Sequence, residues 1–325
     1  MSTQQQIIDL KNYIDKHVLG QNELVSRLLI AILADGHLLV EGAPGLAKTT
    51  AVKVLASGVE GDFHRVQFTP DLLPADLTGT DIYRPETGSF HFQHGPLFHN
   101  IVLADEINRA PAKVQAALLE AMGERQITVG KQTYQLPKLF MVMATQNPIE
   151  QEGTYPLPEA QLDRFLMHVK VDFPRKDTEK EILKLVREQS LEMETGSAAE
   201  ENSFAPIAEE VIFAARKEIL QINMSEDLEE YLVQLILATR EAGEYGADLQ
   251  RWIRFGASPR ATIALDRCSR AHAWLNGRDF VTPDDIQVIA HDVLRHRILL
   301  TFEAEAEGIN PDRVIDELLQ RIAVP

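Results

Sequence analysis

A glycine-rich segment near the start of the chain contains the residue types that bind polyphosphates. It reads Gly42, Ala43, Pro44, Gly45, Leu46, Ala47, Lys48 and Thr49. In such a loop the backbone N–H groups and the N-terminus of the following helix attract phosphate oxygens. Lys48 is placed to reach the terminal phosphates of a nucleotide, and the Thr49 hydroxyl to bind Mg²⁺. The alternative is an ordinary tight turn into a helix, since Ala47 stands where most phosphate-binding loops have glycine.

Three polar side chains that follow apolar runs offer the other groups needed for nucleotide hydrolysis. Asp105 and Glu106 come after the run 101–104, and Asn147 comes shortly after the run 140–144. We expect Asp105, at a strand end beside the loop, to bind Mg²⁺ through water, and Glu106 to orient the attacking water. The neutral amide of Asn147 can position that water without adding charge. The alternatives are a helix cap for the acidic pair and a turn at Asn147.

The elements around these residues predict an α/β domain. A helix is expected at 50–56, directly after the loop. Strands are predicted at 37–40, 66–68, 101–106, 140–144 and 167–171. Strands that alternate with helices form a parallel sheet flanked by helices, and ligands collect at the carboxyl ends of its strands. After Pro174 the pattern becomes helical. We therefore predict an α/β nucleotide-binding domain at 1–174 and a smaller, all-helical domain at 175–325.

Several other segments have recognisable patterns. Two β-hairpins are predicted as insertions in the first domain, at 81–96 and 124–136. The polar stretch 189–205 lacks periodicity and is interpreted as a loop or linker. Three later helices are each expected to begin with a capping side chain followed by proline. These starts are Ser258-Pro259, Thr282-Pro283 and Asn310-Pro311.

The composition limits the classes of function. The 325 residues carry a net charge of −17, and acidic residues outnumber basic ones on both sides of Pro174. Nonspecific nucleic-acid binding needs a strongly cationic surface, so nucleic acid is not an expected partner. No apolar run is long enough to span a bilayer, and the N-terminus does not resemble a secretion signal, which predicts a cytoplasmic protein without membrane insertion. The single cysteine, Cys268, is expected to be a buried core residue.

The motifs, in the order in which they occur, resemble those of the MoxR family of AAA+ ATPases over nearly the whole chain. They are Val18-Leu19-Gly20-Gln21, the loop 42–49, and the segments 103–110, 144–148 and 152–165. Alanine before the lysine of the loop is typical of this family, so Ala47 supports the resemblance. It implies an AAA+ α/β P-loop domain followed by a helical lid domain. It also implies ATP and Mg²⁺ as cofactors, and self-association into a ring, expected to be a hexamer.

The resemblance also implies roles for individual residues. Val18, Leu19, Gly20 and Gln21 are expected near the adenine, and Thr50 to bind the nucleotide with the loop. The implied catalytic residues are Lys48, Glu106, Asn147 and Arg164. Arg164 resembles an arginine finger that reaches the nucleotide of a neighbouring subunit, although a surface ion pair with Asp163 or Glu159 is the alternative. Arg260 resembles a lid residue that contacts the γ-phosphate and changes the angle between the domains. Further candidates for nucleotide or inter-subunit contacts are Arg109, Arg251 and Arg254, with a solvated or salt-bridged surface role as the alternative.

The function implied by this resemblance is Mg²⁺-dependent ATP hydrolysis that remodels or matures a client protein. A partner with a von Willebrand factor A domain, encoded elsewhere, is expected, and the sequence does not identify the client. The alternatives are a DNA-translocating AAA+ motor, the ATPase subunit of a metal-chelatase complex and a nonenzymatic scaffold. The hairpins resemble insertions that face the pore of related rings. Phe90, His91, Phe92 and His94 are candidates to engage a peptide there, whereas simple packing against the domain is the alternative.

Overall fold

A parallel β-sheet forms the centre of the first half of the chain. The computed structural model describes residues 1–148, 153–195 and 204–325. The strands, numbered along the chain, are β1 (Leu38–Gly42), β2 (Phe63–Gln67), β3 (Gly79–Arg84), β4 (Ser89–His94), β5 (Ile101–Asp105), β6 (Gln126–Val129), β7 (Gln132–Gln135), β8 (Met141–Gln146), β9 (Met167–Val171), β10 (Ile253–Phe255) and β11 (Leu299–Leu300). In the described part of the chain the main sheet has the order β2-β5-β8-β1-β9, and all its pairs are parallel.

Helices cover this sheet and form nearly all of the second half. They are α1 (Thr3–His17), α2 (Asn22–Leu33), α3 (Lys48–Ser57), α4 (Pro74–Thr78), α5 (Ala112–Glu124), α6 (Glu159–Leu162), α7 (Lys176–Thr195), α8 (Glu209–Leu220), α9 (Glu226–Arg240), α10 (Ala247–Trp252), α11 (Pro259–Leu275), α12 (Pro283–Leu294), α13 (Phe302–Ala306) and α14 (Pro311–Arg321). Short 3₁₀ turns lie between some of them. This confirms the predicted α/β domain followed by helices, although the antiparallel pair β10–β11 adds a small strand element to the second half.

The central strands are buried on both faces, which explains why they are continuous apolar runs. Leu38 and Val40 of β1 face one hydrophobic cluster, and Leu39 between them faces the other. This alternation follows the two-residue period of a strand. The first cluster also contains apolar residues of α1, α2, α8, α9, α11, α12 and α14. One hydrophobic core therefore extends without a break from the sheet into the helices of the second half.

Polar contacts also join the two halves of the chain. The Arg27 guanidinium on α2 pairs with the Asp292 carboxylate on α12 at 2.5 Å, and both side chains are buried. The Arg216 guanidinium on α8 donates two hydrogen bonds to the Ile32 carbonyl. Near the N-terminus, the Gln4 amide donates to the Trp274 carbonyl. Helices α1 and α2 are thus held between the sheet and the later helices.

The predicted helix starts and hairpins are confirmed. Ser258 and Asn310 accept hydrogen bonds from backbone N–H groups of the first helical turn, and Thr282 forms a capping box with Asp285. The hairpins are the antiparallel pairs β3–β4 and β6–β7. The loop predicted at 189–205 is wrong as far as Thr195, where α7 ends. Residues 189–195 contain neither glycine nor proline, so good helix formers continue the helix despite their polarity. The part of that prediction at 196–203 lies outside the described residues.

The two hairpins contact each other at their bases and expose apolar side chains nearer the first tip. The Phe92 and Tyr134 rings stack with their centroids 4.1 Å apart, and so do the His94 and Phe98 rings. Phe90 is 71% exposed. Phe92 and His94 therefore pack against neighbouring rings, as the packing alternative for the hairpins expects, whereas Phe90 is exposed. Across the described ranges, no helix is long and apolar enough to cross a membrane.

Candidate nucleotide-binding site

A cavity of about 770 Å³ opens at the carboxyl edge of the main sheet. This volume suits a nucleotide-sized ligand. The predicted site residues that line it are Leu19, Gln21, Pro44, Gly45, Leu46, Ala47, Lys48, Thr49, Thr50, Asp105, Glu106 and Asn147. The structure thus brings together the glycine-rich loop, both carboxylates and the amide, although they come from three separate parts of the sequence.

The loop between β1 and α3 has the backbone of a phosphate cradle. Gly45 has a φ of +84°, and open space surrounds the position where a side chain would begin. Ala47 has a φ of 55° and directly precedes the first residue of α3. A left-handed conformation is costly for a residue with a Cβ atom, so this alanine stores local strain at the site. The loop therefore presents an open backbone and a helix N-terminus to the cavity.

The Lys48 side chain lines the cavity and forms hydrogen bonds to the backbone of its own loop. Its ammonium group donates hydrogen bonds to the carbonyls of Gly42 and Ala43. Burial lowers the pKa of the Lys48 ammonium, and the nearby charges of Asp105 and Glu106 oppose this effect. The predicted binding residues Gly42 and Ala43 thus contribute by holding Lys48, while the side of the loop that lines the cavity begins at Pro44.

Asp105 lies at the end of β5 and is held on both of its carboxylate oxygens. The Thr145 hydroxyl donates to Oδ1 (2.6 Å), and the Arg65 guanidinium contacts Oδ2 (2.7 Å). The strand of Asp105 does not pair with β1, because β8 lies between them and supplies Thr145. Asp105 and Thr49 both line the cavity. Mg²⁺ that binds together with nucleotide phosphates takes only a few oxygen ligands from the protein. A carboxylate and a hydroxyl are such ligands, so the site fits a magnesium nucleotide.

Glu106 points into the cavity from a strained backbone position. Its φ is 58°, and its side chain does not cap the 3₁₀ turn Ile107–Arg109 that follows it. The carboxylate instead accepts a hydrogen bond from the Gln67 amide (3.0 Å) and pairs with Arg109 (2.9 Å). The helix-cap alternative is therefore wrong for Glu106. An unusual backbone conformation at a cavity-lining acid is typical of a functional residue.

Asn147 follows β8, the strand between β5 and β1. Its side chain is largely buried and reaches the cavity. This central position explains why Asn147 lies close to both the loop and the carboxylates. Asn147 therefore shares the cavity with the loop and with both carboxylates.

Two further segments line the cavity. Leu19 and Gln21 belong to the turn between α1 and α2, and Phe173, Pro174 and Ile182 belong to the segment after β9. Two residues predicted near the adenine stay outside the described lining: Val18 belongs to the hydrophobic core, and Gly20 packs against Thr178 with a φ of +76°. Val18 and Gly20 belong to the turn from which Leu19 and Gln21 reach the cavity.

Arg164 and Arg260 do not belong to the described lining of this cavity. The Arg164 guanidinium donates to the Leu119 carbonyl on α5 (2.7 Å). Asp163 pairs with Arg297 (2.8 Å) and lies 3.5 Å from the Arg260 guanidinium, which is 58% exposed. The predicted contact of Arg260 with the γ-phosphate stays a prediction. Arg164 follows α6 and Asp163 in the chain, and Arg260 lies in the first turn of α11.

The other arginine candidates have local partners. Arg109 pairs with Glu106 inside the site. Arg251 pairs with Glu307 at 2.9 Å on the surface, and Arg254 lies over the Phe255 ring at 5.4 Å. The salt-bridged alternative thus describes Arg251. Arg109 is the one of the three with a described contact to Glu106.

Sequence reasoning missed three polar residues that contact the carboxylates. Arg65 and Gln67 belong to β2, and Thr145 belongs to β8. The sequence did contain an indication, because Arg65 and Gln67 are two residues apart. Residues two apart in a strand point to the same face of the sheet. That β2 pairs directly with β5 could not be known from the pattern.

Family models match both halves of the chain. Residues 37–167 match the model "ATPase family associated with various cellular activities (AAA)", and residues 248–318 match the AAA lid domain. The first match contains the loop, both carboxylates, Asn147 and Arg164. The second contains Arg260.

Similar proteins extend over almost the full length. Chaperone MoxR1 of Mycobacterium tuberculosis is 44% identical over 314 residues, covering 95% of this chain and 79% of the relative. Protein MoxR of Methylorubrum extorquens is 34% identical, covering 93% and 90%. A crystal structure of a presumed ATPase from Cytophaga hutchinsonii superposes with a TM-score of 0.89 at 46% identity, covering 99% and 96%. More distant is the magnesium-chelatase subunit ChlI of Nicotiana tabacum, which is 28% identical over 61% of this chain.

Proposed function

The chain belongs to the MoxR family of AAA+ ATPases, and from this premise we propose that Mg²⁺-dependent ATP hydrolysis drives the remodelling or maturation of a client protein in the cytoplasm. The protein is an ATPase with a chaperone-like family background. The single observation that carries the proposal is the shared cavity of Lys48, Asp105, Glu106 and Asn147. A binding scaffold would not need a strained glutamate beside an amide.

The residues of the cavity divide the work of hydrolysis. Backbone N–H groups of the loop and the Lys48 ammonium bind the phosphates, and Thr49 and Asp105 hold the metal. Bound Mg²⁺ neutralises charge that develops on the phosphate oxygens. Glu106 orients the attacking water and accepts a hydrogen bond from it. The Asn147 amide holds the same water through a second hydrogen bond. Leu19, Gln21 and Ile182 bury the base at the other end.

Arg164 and Arg260 suit contacts with the nucleotide of a second copy. Neither belongs to the described lining of its own cavity: Arg164 donates to the Leu119 carbonyl, and Arg260, which is exposed, lies beside Asp163. A guanidinium supplied by a neighbour compensates transition-state charge and can contribute 10³–10⁵ in rate. We propose a ring, expected to be a hexamer, in which each cavity is completed by the next subunit.

Turnover of three variants tests the catalytic assignment. Lys48→Ala, Glu106→Gln and Arg164→Ala should each lose activity, by roughly 10³-fold for Arg164→Ala if its guanidinium acts as a finger. The control is Arg251→Ala, which removes an arginine from an exposed surface pair. Parental turnover in all three variants would show that the assignment is wrong.

Mixing two inactive variants tests whether Arg164 acts between subunits. In a mixed ring of Lys48→Ala and Arg164→Ala, some cavities combine an intact Lys48 with an intact Arg164 from the neighbour, so activity should reappear. A double variant carrying both substitutions cannot restore the Arg164→Ala protein and is the matched control. Failure of the mixture to regain activity, with mixed assembly verified by cross-linking, would exclude action in trans.

The proposed partners are a protein with a von Willebrand factor A domain and a client of unknown identity. The support is the family membership and the exposed apolar tip of the first hairpin, including Phe90. Glu106→Gln with ATP should trap the assembly, so affinity capture should recover both partners. The Lys48→Ala variant, which cannot hold the phosphates, is the control. Recovery of neither partner above that control would refute this part of the proposal.

The second candidate is the ATPase subunit of a metal-chelatase complex. The similarity to the chelatase subunit ChlI favours it, although it covers less of the chain at lower identity than the MoxR relatives. Insertion of Mg²⁺ into a porphyrin, assayed with the other chelatase subunits supplied, distinguishes the two. We expect no insertion.

A further inference from the structure

Both oxygens of the Asp105 carboxylate are engaged by side chains, and one of these side chains is a cation. Thr145 donates to Oδ1, whereas the Arg65 guanidinium reaches Oδ2 through Nη2 (2.7 Å) and Nε (3.0 Å). The Asp105 side chain is only 13% exposed, and that of Arg65 is 45% exposed. Arg65 lines the same cavity as Lys48 and Thr49. A positive group of the protein thus lies on one of the two oxygens of the carboxylate proposed to bind the metal.

A divalent cation and the Arg65 guanidinium cannot both be bound well at this carboxylate. Two positive groups at one oxygen repel each other strongly at such distances. The two-pronged contact from Nε and Nη2 is charge-assisted, so it has to be broken before Oδ2 can serve another cation. Arg65 is half-exposed, and its long side chain can therefore turn away into the open cavity.

A substitution of Gln67 can separate the effect of Arg65 on metal binding from a general disturbance of β2. Its Oε1 accepts a hydrogen bond from Arg65 (3.0 Å), and its amide donates to Glu106 (3.0 Å). Removing Gln67 would disturb the neighbourhood of both carboxylates but leave the Arg65–Asp105 ion pair in place. Arg65 and Gln67 can therefore be tested independently.

We propose that Arg65 is a positioning residue that competes with the divalent cation for Asp105. It holds the carboxylate in its place at the end of β5, and it sets the Mg²⁺ concentration at which the site loads. The inference rests on the proposed function, because it takes Asp105 as the metal-side carboxylate. Breaking the contact between Arg65 and Asp105 is then part of the free-energy cost of binding the metal. Arg65 lines the cavity but lies outside the glycine-rich loop.

The test measures binding rather than turnover. The full-length protein is titrated with a fluorescent, non-hydrolysable ATP analogue in EDTA and at a series of free Mg²⁺ concentrations. In Arg65→Gln the Mg²⁺ concentration that gives half of the gain in affinity should fall about fivefold, because a partly exposed ion pair no longer competes. Affinity in EDTA should stay within about twofold of the parent. Arg65→Lys, which keeps a cation but loses the two-pronged contact, should lie between the two.

Two controls make the outcome specific. Gln67→Ala should keep the parental Mg²⁺ midpoint, and so should Arg313→Gln, which removes an exposed arginine from its pair with the largely buried Glu317 on α14. An unchanged midpoint in Arg65→Gln would overturn the inference. Much weaker binding in EDTA would also overturn it, since Arg65 would then be a direct phosphate ligand. If the parent itself bound no nucleotide, the proposed function would fail first.

Discussion

His37 offers a quantitative test of how the buried core responds to acid. It directly precedes β1 and is buried. Its Nδ1 accepts a hydrogen bond from the Val142 N–H (3.0 Å), so its Nε2 carries the proton and donates to the Met122 carbonyl (3.3 Å). Burial lowers the pKa of His37 from 6.5 to about 4, and the positive charge of Arg125 adds to the effect. Protonation would also remove the acceptor that Val142 uses.

The sign of the pH effect follows from linkage. The pKa of His37 is lower in the folded chain than in the unfolded chain, so the unfolded chain takes up the proton first as the pH falls. The stabilising contribution is complete above pH 6.5 and is lost progressively as the pH falls from 6.5 towards 4. At pH 5 the loss amounts to about 2 kcal/mol of unfolding free energy. That is a large share of the 5–15 kcal/mol typical of a folded protein.

The perturbation is His37→Gln, whose amide can donate to Met122 and accept from Val142 without titrating. Equilibrium unfolding in urea at pH 7.5 and pH 5.0 gives the drop in unfolding free energy for each protein. The parent should lose about 2 kcal/mol more than the variant between these pH values. His296 is also buried with a lowered pKa, but it is present in both proteins and cancels. His91→Gln, on the exposed hairpin, is the control and should behave like the parent. Equal pH slopes for the parent and His37→Gln would refute the reasoning.

Three further changes have expected outcomes. Asp292→Ala removes the buried carboxylate that pairs with both Arg27 and Arg295 and should cost about 3–5 kcal/mol in urea unfolding, whereas Glu307→Ala at an exposed pair should cost under about 1 kcal/mol; similar costs for both would contradict the burial argument. Ala47→Gly should relieve the left-handed backbone strain and raise the unfolding free energy by up to about 1 kcal/mol, and a loss of stability would show that the loop is not strained. Burial raises the pKa of Cys268 to about 12, so a thiol reagent at pH 8 should label it only after denaturation; rapid labelling of the native protein would contradict its place in the core.

Much of the site could be predicted because each of its parts follows a local rule. The loop 42–49 is a contiguous motif, and Asp105, Glu106 and Asn147 directly follow buried apolar runs. Parallel strands bring their carboxyl ends to one edge, so residues far apart in sequence meet there. The hairpins and the proline-marked helix starts were predictable for the same reason, since turn and cap chemistry depends on neighbouring residues.

The rest depends on which elements pack together, which no local pattern contains. The insertion of β8 between β5 and β1 brings Thr145 to Asp105, and the pairing of β2 with β5 brings Arg65 there. The packing of α11 places Arg260 beside Asp163, a neighbour that no local pattern indicates. The extension of α7 to Thr195 was missed because a polar helix gives no apolar periodicity.

The hydrophobic core that continues from the sheet into the later helices has a mechanical consequence. Rotating those helices away from the sheet would expose apolar side chains of α1 and α2 and would break the buried pair between Arg27 and Asp292. Each chain should therefore move as a stiff body during its working cycle. In the proposed ring we therefore expect movement at the boundaries between copies, and each rigid chain would carry that movement to its exposed hairpins.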